Sequence, residues 1–133
     1  DLVPAASPAL VKGRNRLRNA GDLTRHTLLY IGTRDDWRLW LQAQGVAIDW
    51  RRGALLDETA IGIQAAIAGK GVILVRRSLI AEELVQGRLV TPLPQSLATG
   101  TAYFLVYPPE RMASPPIRAF RNWLLKEAGG AKA

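Results

Sequence analysis

The sequence predicts an open α/β sheet with mainly parallel strands and flanking helices. Two observations carry this. The stretch from Leu56 to Leu79, LDETAIGIQAAIAGKGVILVRRSL, reads as a helix, a glycine turn and a buried strand. Elsewhere strand-like and helix-like segments alternate, which is the pattern of parallel strands joined by helical crossovers. At 133 residues with 48% hydrophobic content, the chain has the size and composition of about one folded domain.

Within the central stretch, Asp57 is placed to cap a helix, and Glu58 suits the positive end of its dipole. Residues 60–68 are almost all apolar or small, so this helix is expected to be buried on most faces. Gly69 fits a left-handed position after the helix and Gly71 a tight turn. Val72 to Val75 is a continuous apolar run, as in a central strand covered on both sides. Ser78 is expected to cap a further helix carrying Ile80, Leu84 and Val85 on one face.

In chain order, residues 1–6 read as an extended segment that Pro4 confines to an edge or a crossing. Ser7-Pro8 opens a short helix over 9–11. Residues 13–19 form a basic loop, and Gly21-Asp22-Leu23 a helical turn. Leu28 to Ile31 is a strand closed by Gly32. Thr33 or Asp35 caps a helix over 36–44, whose Trp37, Trp40 and Leu41 make one buried stripe. Gly45 ends it. Trp50 to Leu56 is read as a strand and Arg88 to Thr91 as a short one, followed by a proline-broken loop to Thr99. Thr101 to Tyr107, TAYFLVY, is read as a strong strand. Ser114, Pro115 and Pro116 open a last helix with an apolar face of Ile117, Phe120, Trp123 and Leu124, ended by Gly129-Gly130.

Composition narrows the chemistry. Without cysteine there is no disulfide framework and no thiolate metal site. No apolar run reaches the roughly 20 residues of a membrane span, and no signal peptide is visible at the start. The net charge of +7 is partly clustered at Lys12, Arg14, Arg16 and Arg18, at Arg51-Arg52 and at Arg76-Arg77. No aromatic residues interleave with the first cluster as stacking platforms would, so solvated faces account for it. Gly62 and Gly69-Lys70 superficially match a phosphate-binding loop. The spacing, the glycine at the hydroxyl position and the order of helix and glycines all disagree with that motif.

Nothing reads as a catalytic centre. His26 is the only histidine and is expected to satisfy local backbone groups. Asp35-Asp36 and Asp57-Glu58 both lie at helix starts, where capping explains them. No carboxylates sit at metal-ligand spacing, and the serines lack a nucleophile-elbow setting. No cofactor is called for. A binding cleft remains, because open α/β sheets hold ligands at strand carboxyl ends and helix N-termini. Ser7, Thr33, Thr59 and Tyr103 are the candidates, expected to line one depression there. Each also has a separate structural explanation: two caps, an exposed first-turn residue and a half-buried aromatic.

The order of motifs resembles the C-terminal half of the effector-binding domain of LysR-type transcriptional regulators. The matching segments are LVPAASPAL at 2–10, GDLTRHTLL at 21–29, DDWRLWLQAQGV at 35–46 and LDETAIGIQAAIAGKGVILVRRSLIAEELVQGRLVTPL at 56–93. TAYFLVYPPE at 101–110 and IRAFRNWLLKEA at 117–128 complete them. The likeness covers essentially the whole chain and is greatest to the glycine-cleavage-activator-like branch. It implies a periplasmic-binding-protein-like (type II) subdomain over 7–100. Residues 1–6 and 101–107 would be crossing strands, and 114–128 a helix belonging to the first subdomain. It further implies a small-molecule effector held between two subdomains by Ser7, Thr33, Thr59 and Tyr103. DNA would be bound through an N-terminal winged helix-turn-helix absent from these residues. A cytoplasmic dimer or tetramer is implied, with no membrane association and no enzymatic activity. A periplasmic-type solute-binding protein or small-ligand module of the same fold is the alternative.

Overall fold

The computed structural model describes residues 1–12, 16–49, 51–100 and 103–129. The chain divides into two compact units, Asp1–Thr99 and Gly100–Ala133. The first unit holds a four-stranded sheet of β1 (Leu2–Ala5), β2 (Leu28–Ile31), β3 (Ala54–Leu56) and β4 (Val72–Arg76), in the order β1-β4-β2-β3. β2 runs parallel to both β3 and β4, and β1 runs antiparallel to β4. The expected open, mainly parallel sheet is therefore present, with Pro4 on an edge strand where its missing N–H is tolerated.

Alternation along the strands divides the core into two layers. Leu2, Ala6, Leu28, Tyr30, Val72 and Leu74 pack with Trp37, Trp40 and Leu41 of α1 (Asp35–Ala43). Val3, Ala5, Leu29, Ile73 and Val75 pack with Ile63 and Ala66 of α2 (Thr59–Ile67), and with Ile80 and Leu89. β4 is buried along Val72–Val75, as a covered central strand requires. Gly71 permits its approach to β2, since a Cβ there would lie 2.4 Å from the Thr27 carbonyl oxygen.

Several expectations change. Asp57 does not cap α2: the N-cap is Glu58, with no side-chain cap hydrogen bond. Nor is α2 buried on most faces. One sheet covers one side of it, leaving Ile61 57% exposed. Ser78 lies inside a 3-10 turn, Arg77–Ile80, and is not a cap. The helix that follows, α3, is short (Ala81–Val85), and Val85 faces solvent while Ile80 is buried. The strand expected over 50–56 is confined to Ala54–Leu56, because Arg51 and Arg52 turn away after Asp49, and Trp50 lies outside the described residues. The strand expected over 88–91 reduces to an isolated bridge between Ala6 and Val90.

Arg16 and Arg18 are exposed around a buried Leu17, while Arg14 lies outside the described residues. Arg25 forms an ion pair with Asp22 in the 3-10 turn Ala20–Arg25, which Asn19 and Asp22 close as a capping box.

The second unit holds α4 (Pro115–Glu127), introduced by a 3-10 turn, Pro109–Arg111. A strong strand is expected over 101–107. Residues 103–107 belong to no strand, and Thr101 and Ala102 lie outside the described residues. Aromatic and β-branched residues favour a strand only where a neighbouring strand completes its ladder.

Candidate functional site

Because β2, β3 and β4 are parallel, their carboxyl ends share one edge of the sheet. Helices α1 and α2 begin at that edge, immediately after β2 and β3. The Gly32 N–H donates to the Leu56 carbonyl at 2.8 Å, so the segments leaving the two strands are joined. Gly32 has φ of +64°, a left-handed turn that glycine adopts without strain. The turn presents Thr33, whose N–H donates to the Ile31 carbonyl at 2.6 Å. The Thr33 hydroxyl oxygen accepts from the Asp35 N–H at 3.1 Å and the side chain is exposed. Thr59 is the first residue of α2 and is half-exposed. Two of the four candidate residues are thus delivered to one edge.

Ser7 is not delivered there. Leu2 stands opposite Arg76 and Ala5 opposite Ile73, so β1 runs from the carboxyl edge toward the amino ends of its neighbours. Ser7 follows at the far edge, 9% exposed, where its hydroxyl accepts from the Ala9 N–H at 3.4 Å. Its antiparallel direction corrects the expectation of one depression shared with Thr33 and Thr59, and leaves Ser7 as a cap. Tyr103 belongs to the second unit, where it is 81% exposed and not half-buried.

Charge accompanies the two threonines. Asp35 and Asp36 occupy the first turn of α1, and Asp57 and Glu58 lie exposed between β3 and α2. The Asp36 carboxyl is pushed up by partial burial and by neighbouring Asp35, and pulled back by Arg76 at the end of β4. Arg34 stacks on the Tyr30 ring, its guanidinium carbon 4.6 Å from the ring centroid, and its Nη1 is buried without a hydrogen-bond partner. Burial pushes the Tyr30 hydroxyl up, against the pull of Arg34. That hydroxyl donates to the Arg52 carbonyl at 3.0 Å.

Arg34, Asp36 and Arg76 were not singled out from sequence. The adjacent pairs Asp35-Asp36 and Arg76-Arg77 were a signal, but each had a simpler reading as cap or solvated charge. The edge offers hydroxyls, helix N–H groups, carboxylates and a guanidinium, a set that suits holding a small polar molecule. It presents no nucleophile paired with a base. Among the described residues no group of His, Cys, Asp or Glu is placed to hold a metal ion, and no helix is long and apolar enough to cross a membrane.

Comparisons with known proteins bear on the family and the fold. The family model of the LysR substrate binding domain matches residues 1–129. The glycine cleavage system transcriptional activator of Escherichia coli is 35% identical over 128 residues, covering 96% of this chain and 42% of that protein. The HTH-type transcriptional activator AmpR of Citrobacter koseri is 32% identical over 113 residues, covering 85% of this chain and 39% of that protein. Among solved structures, the effector domain of the transcriptional regulator AmpR of Pseudomonas aeruginosa superposes with a TM-score of 0.80 at 30% identity. It covers 96% of this chain and 61% of that one. The chain thus spans about two fifths of the length of these curated relatives.

Proposed function

As the chain belongs to the LysR substrate-binding domain family, we propose that it is the effector-sensing part of a transcriptional regulator. In this reading a small-molecule co-inducer is held at the carboxyl edge of the sheet, and the regulator binds DNA through an N-terminal domain. The observation that carries the site is the Gly32–Leu56 hydrogen bond, which sets Thr33 and Thr59 on joined segments. By resemblance to the family, Tyr103 is a further candidate contact for the co-inducer. The relatives are transcriptional activators, which favours a regulator over a solute-binding module and over an enzyme. The regulator acts in the cytoplasm as a dimer or tetramer.

The effector class follows from charge. Asp57 and Glu58 repel a bare anion and favour a molecule with an amine or hydroxyl group. The test is a thermal-shift survey of small polar metabolites, repeated on Thr59→Val and Thr33→Val. A compound carrying such a group is expected to raise the wild-type Tm and to lose most of that effect in both variants. Stabilising compounds whose effect is untouched by either substitution would overturn the site.

A further inference from the structure

The first unit contains a cavity far from the carboxyl edge. It has a volume of about 490 Å³ and opens at the amino ends of β2 and β3. Its polar lining comes from Thr24, Arg25, His26, Thr27, Asp49 and Arg52. Gly53 forms part of its wall with φ of +123°, and a Cβ there would lie 2.2 Å from the Leu28 carbonyl oxygen. The wall is therefore held close to β2 by a backbone that only glycine adopts readily.

Four of the lining groups have distinct states of satisfaction. Arg25 is engaged by Asp22. One Asp49 carboxylate oxygen accepts from the Arg51 N–H at 3.1 Å. The Arg52 guanidinium forms no ion pair among the described residues. His26 departs from its expected role. Its backbone N–H donates to the Leu23 carbonyl at 3.0 Å, while its Nε2 is buried without a hydrogen-bond partner. A polar ring atom left so costs stability unless something else satisfies it.

We infer that this cavity is a second small-molecule site, taking a small carboxylate that also carries a hydroxyl group. Its volume lies within the range of about 300–1,000 Å³ usual for ligand sites. Arg52 matches a carboxylate in charge and in its forked geometry. The hydroxyl gives the Asp49 carboxylate a donor, and the ligand would sit against the His26 ring that lines the cavity. Asp49 also counts against a dense anion such as phosphate, which would meet its charge at short range. The site is separate from the proposed effector site, because β2, Leu28–Ile31, runs between them and Thr33 follows its carboxyl end.

His26 is the chain's only histidine, so its ring proton resonances report on the cavity without assignment ambiguity. The experiment is proton NMR of the purified protein titrated with glycerate. Propionate, inorganic phosphate and the variants Arg52→Gln and Thr59→Val serve as comparisons. Glycerate is expected to shift the His26 signals saturably, with propionate and phosphate at least roughly tenfold weaker. Arg52→Gln should weaken glycerate by a similar factor while its circular dichroism stays that of the wild type, and Thr59→Val should leave it unchanged. Absence of a saturable shift, an equal response to propionate or phosphate, or a glycerate response that survives Arg52→Gln would overturn the site. Loss of the response in Thr59→Val would also overturn it, by tracing the effect to the other edge.

Discussion

The indole N–H of Trp37 donates to the carbonyl of Leu29 at 3.0 Å, inside the layer between α1 and β2. This contact fixes the helix that begins beside Thr33 to the strand that ends there. Trp40, whose ring meets that of Trp37 edge-on at 5.6 Å, makes a longer bond of 3.4 Å to the Gln95 carbonyl. Trp37→Phe removes ring volume and leaves a buried carbonyl short of a donor, and is expected to cost roughly 2–4 kcal/mol. Trp40→Phe removes the same volume and a weaker bond, and is expected to cost about 1–2 kcal/mol. Urea unfolding of both variants checks the order. Equal losses would show that the Leu29 bond contributes nothing beyond volume.

Two glycines separate backbone clashes from side-chain ones. A Cβ at Gly53 would meet the Leu28 carbonyl oxygen at 2.2 Å, in a left-handed conformation. Neither the carbonyl nor the conformation yields cheaply, so Gly53→Ala is expected to cost about 3 kcal/mol or more. A Cβ at Gly62 would meet Ile31 Cδ1 at 2.3 Å and Ile73 Cδ1 at 3.0 Å, the ends of flexible side chains. Overpacking of roughly 1–3 kcal/mol is offset there by up to about 1 kcal/mol of helix propensity. Gly62→Ala is thus expected to remain folded with a small loss of Tm. A Gly53→Ala protein as stable as Gly62→Ala would refute the distinction.

Much of this framework was legible because its signals are local. The spacing of Trp37, Trp40 and Leu41 defines one helix face wherever the helix goes, and the run Val72–Val75 marks a covered strand by composition alone. The errors arose where a second element decides. An extended reading of residues 1–6 carries no strand direction, so the expectation puts Ser7 at the wrong edge. The apolar count of α2 does not say that only one layer covers it, hence the exposed Ile61. TAYFLVY has strand propensity, but a strand also needs a neighbour. Of the candidate site, the two threonines were legible because each follows a strand. Arg34 and Arg76 were not, because the stacking of Arg34 on Tyr30 and the pull of Arg76 on Asp36 depend on tertiary placement.

Asp36 gives the fold a pH dependence with a defined sign. Partial burial and Asp35 raise its pKa from 3.8 against the pull of Arg76. A carboxyl whose folded pKa exceeds its unfolded value favours the fold when protonated. Its ionisation withdraws stability, starting as pH rises through the unfolded value and finishing above the raised folded one. Asp36→Asn is therefore expected to be more stable than the wild type at neutral pH, with the gain vanishing as pH falls below the carboxylate range. Urea midpoints over a pH series measure this. A variant less stable than the wild type at neutral pH would mean that attraction to Arg76 outweighs the cost of burial.

The apolar face of α4 bears on assembly. Ile117 and Leu124 are half-buried, while Phe120 and Trp123 are 53% and 54% exposed, their rings 5.7 Å apart. Covering the remaining half of those two side chains yields about 1.5–3 kcal/mol per copy, from roughly 1.5–3 kcal/mol for a whole side chain. A symmetric pair doubles this to about 3–6 kcal/mol, against an association cost of roughly 4–15 kcal/mol. Alone the face is too small for a tight dimer. The same unit exposes Phe104, Val106 and Met112 at 82%, 85% and 59%, which adds several kcal/mol wherever they join the contact. The expected outcome is weak self-association, seen in light scattering as a mass that climbs from monomer toward dimer with concentration. Phe120→Asp should hold the protein monomeric with unchanged circular dichroism, because two carboxylates would face each other across a two-fold contact. A wild type that stays monomeric throughout, or a variant that associates as readily, would remove α4 from the assembly surface.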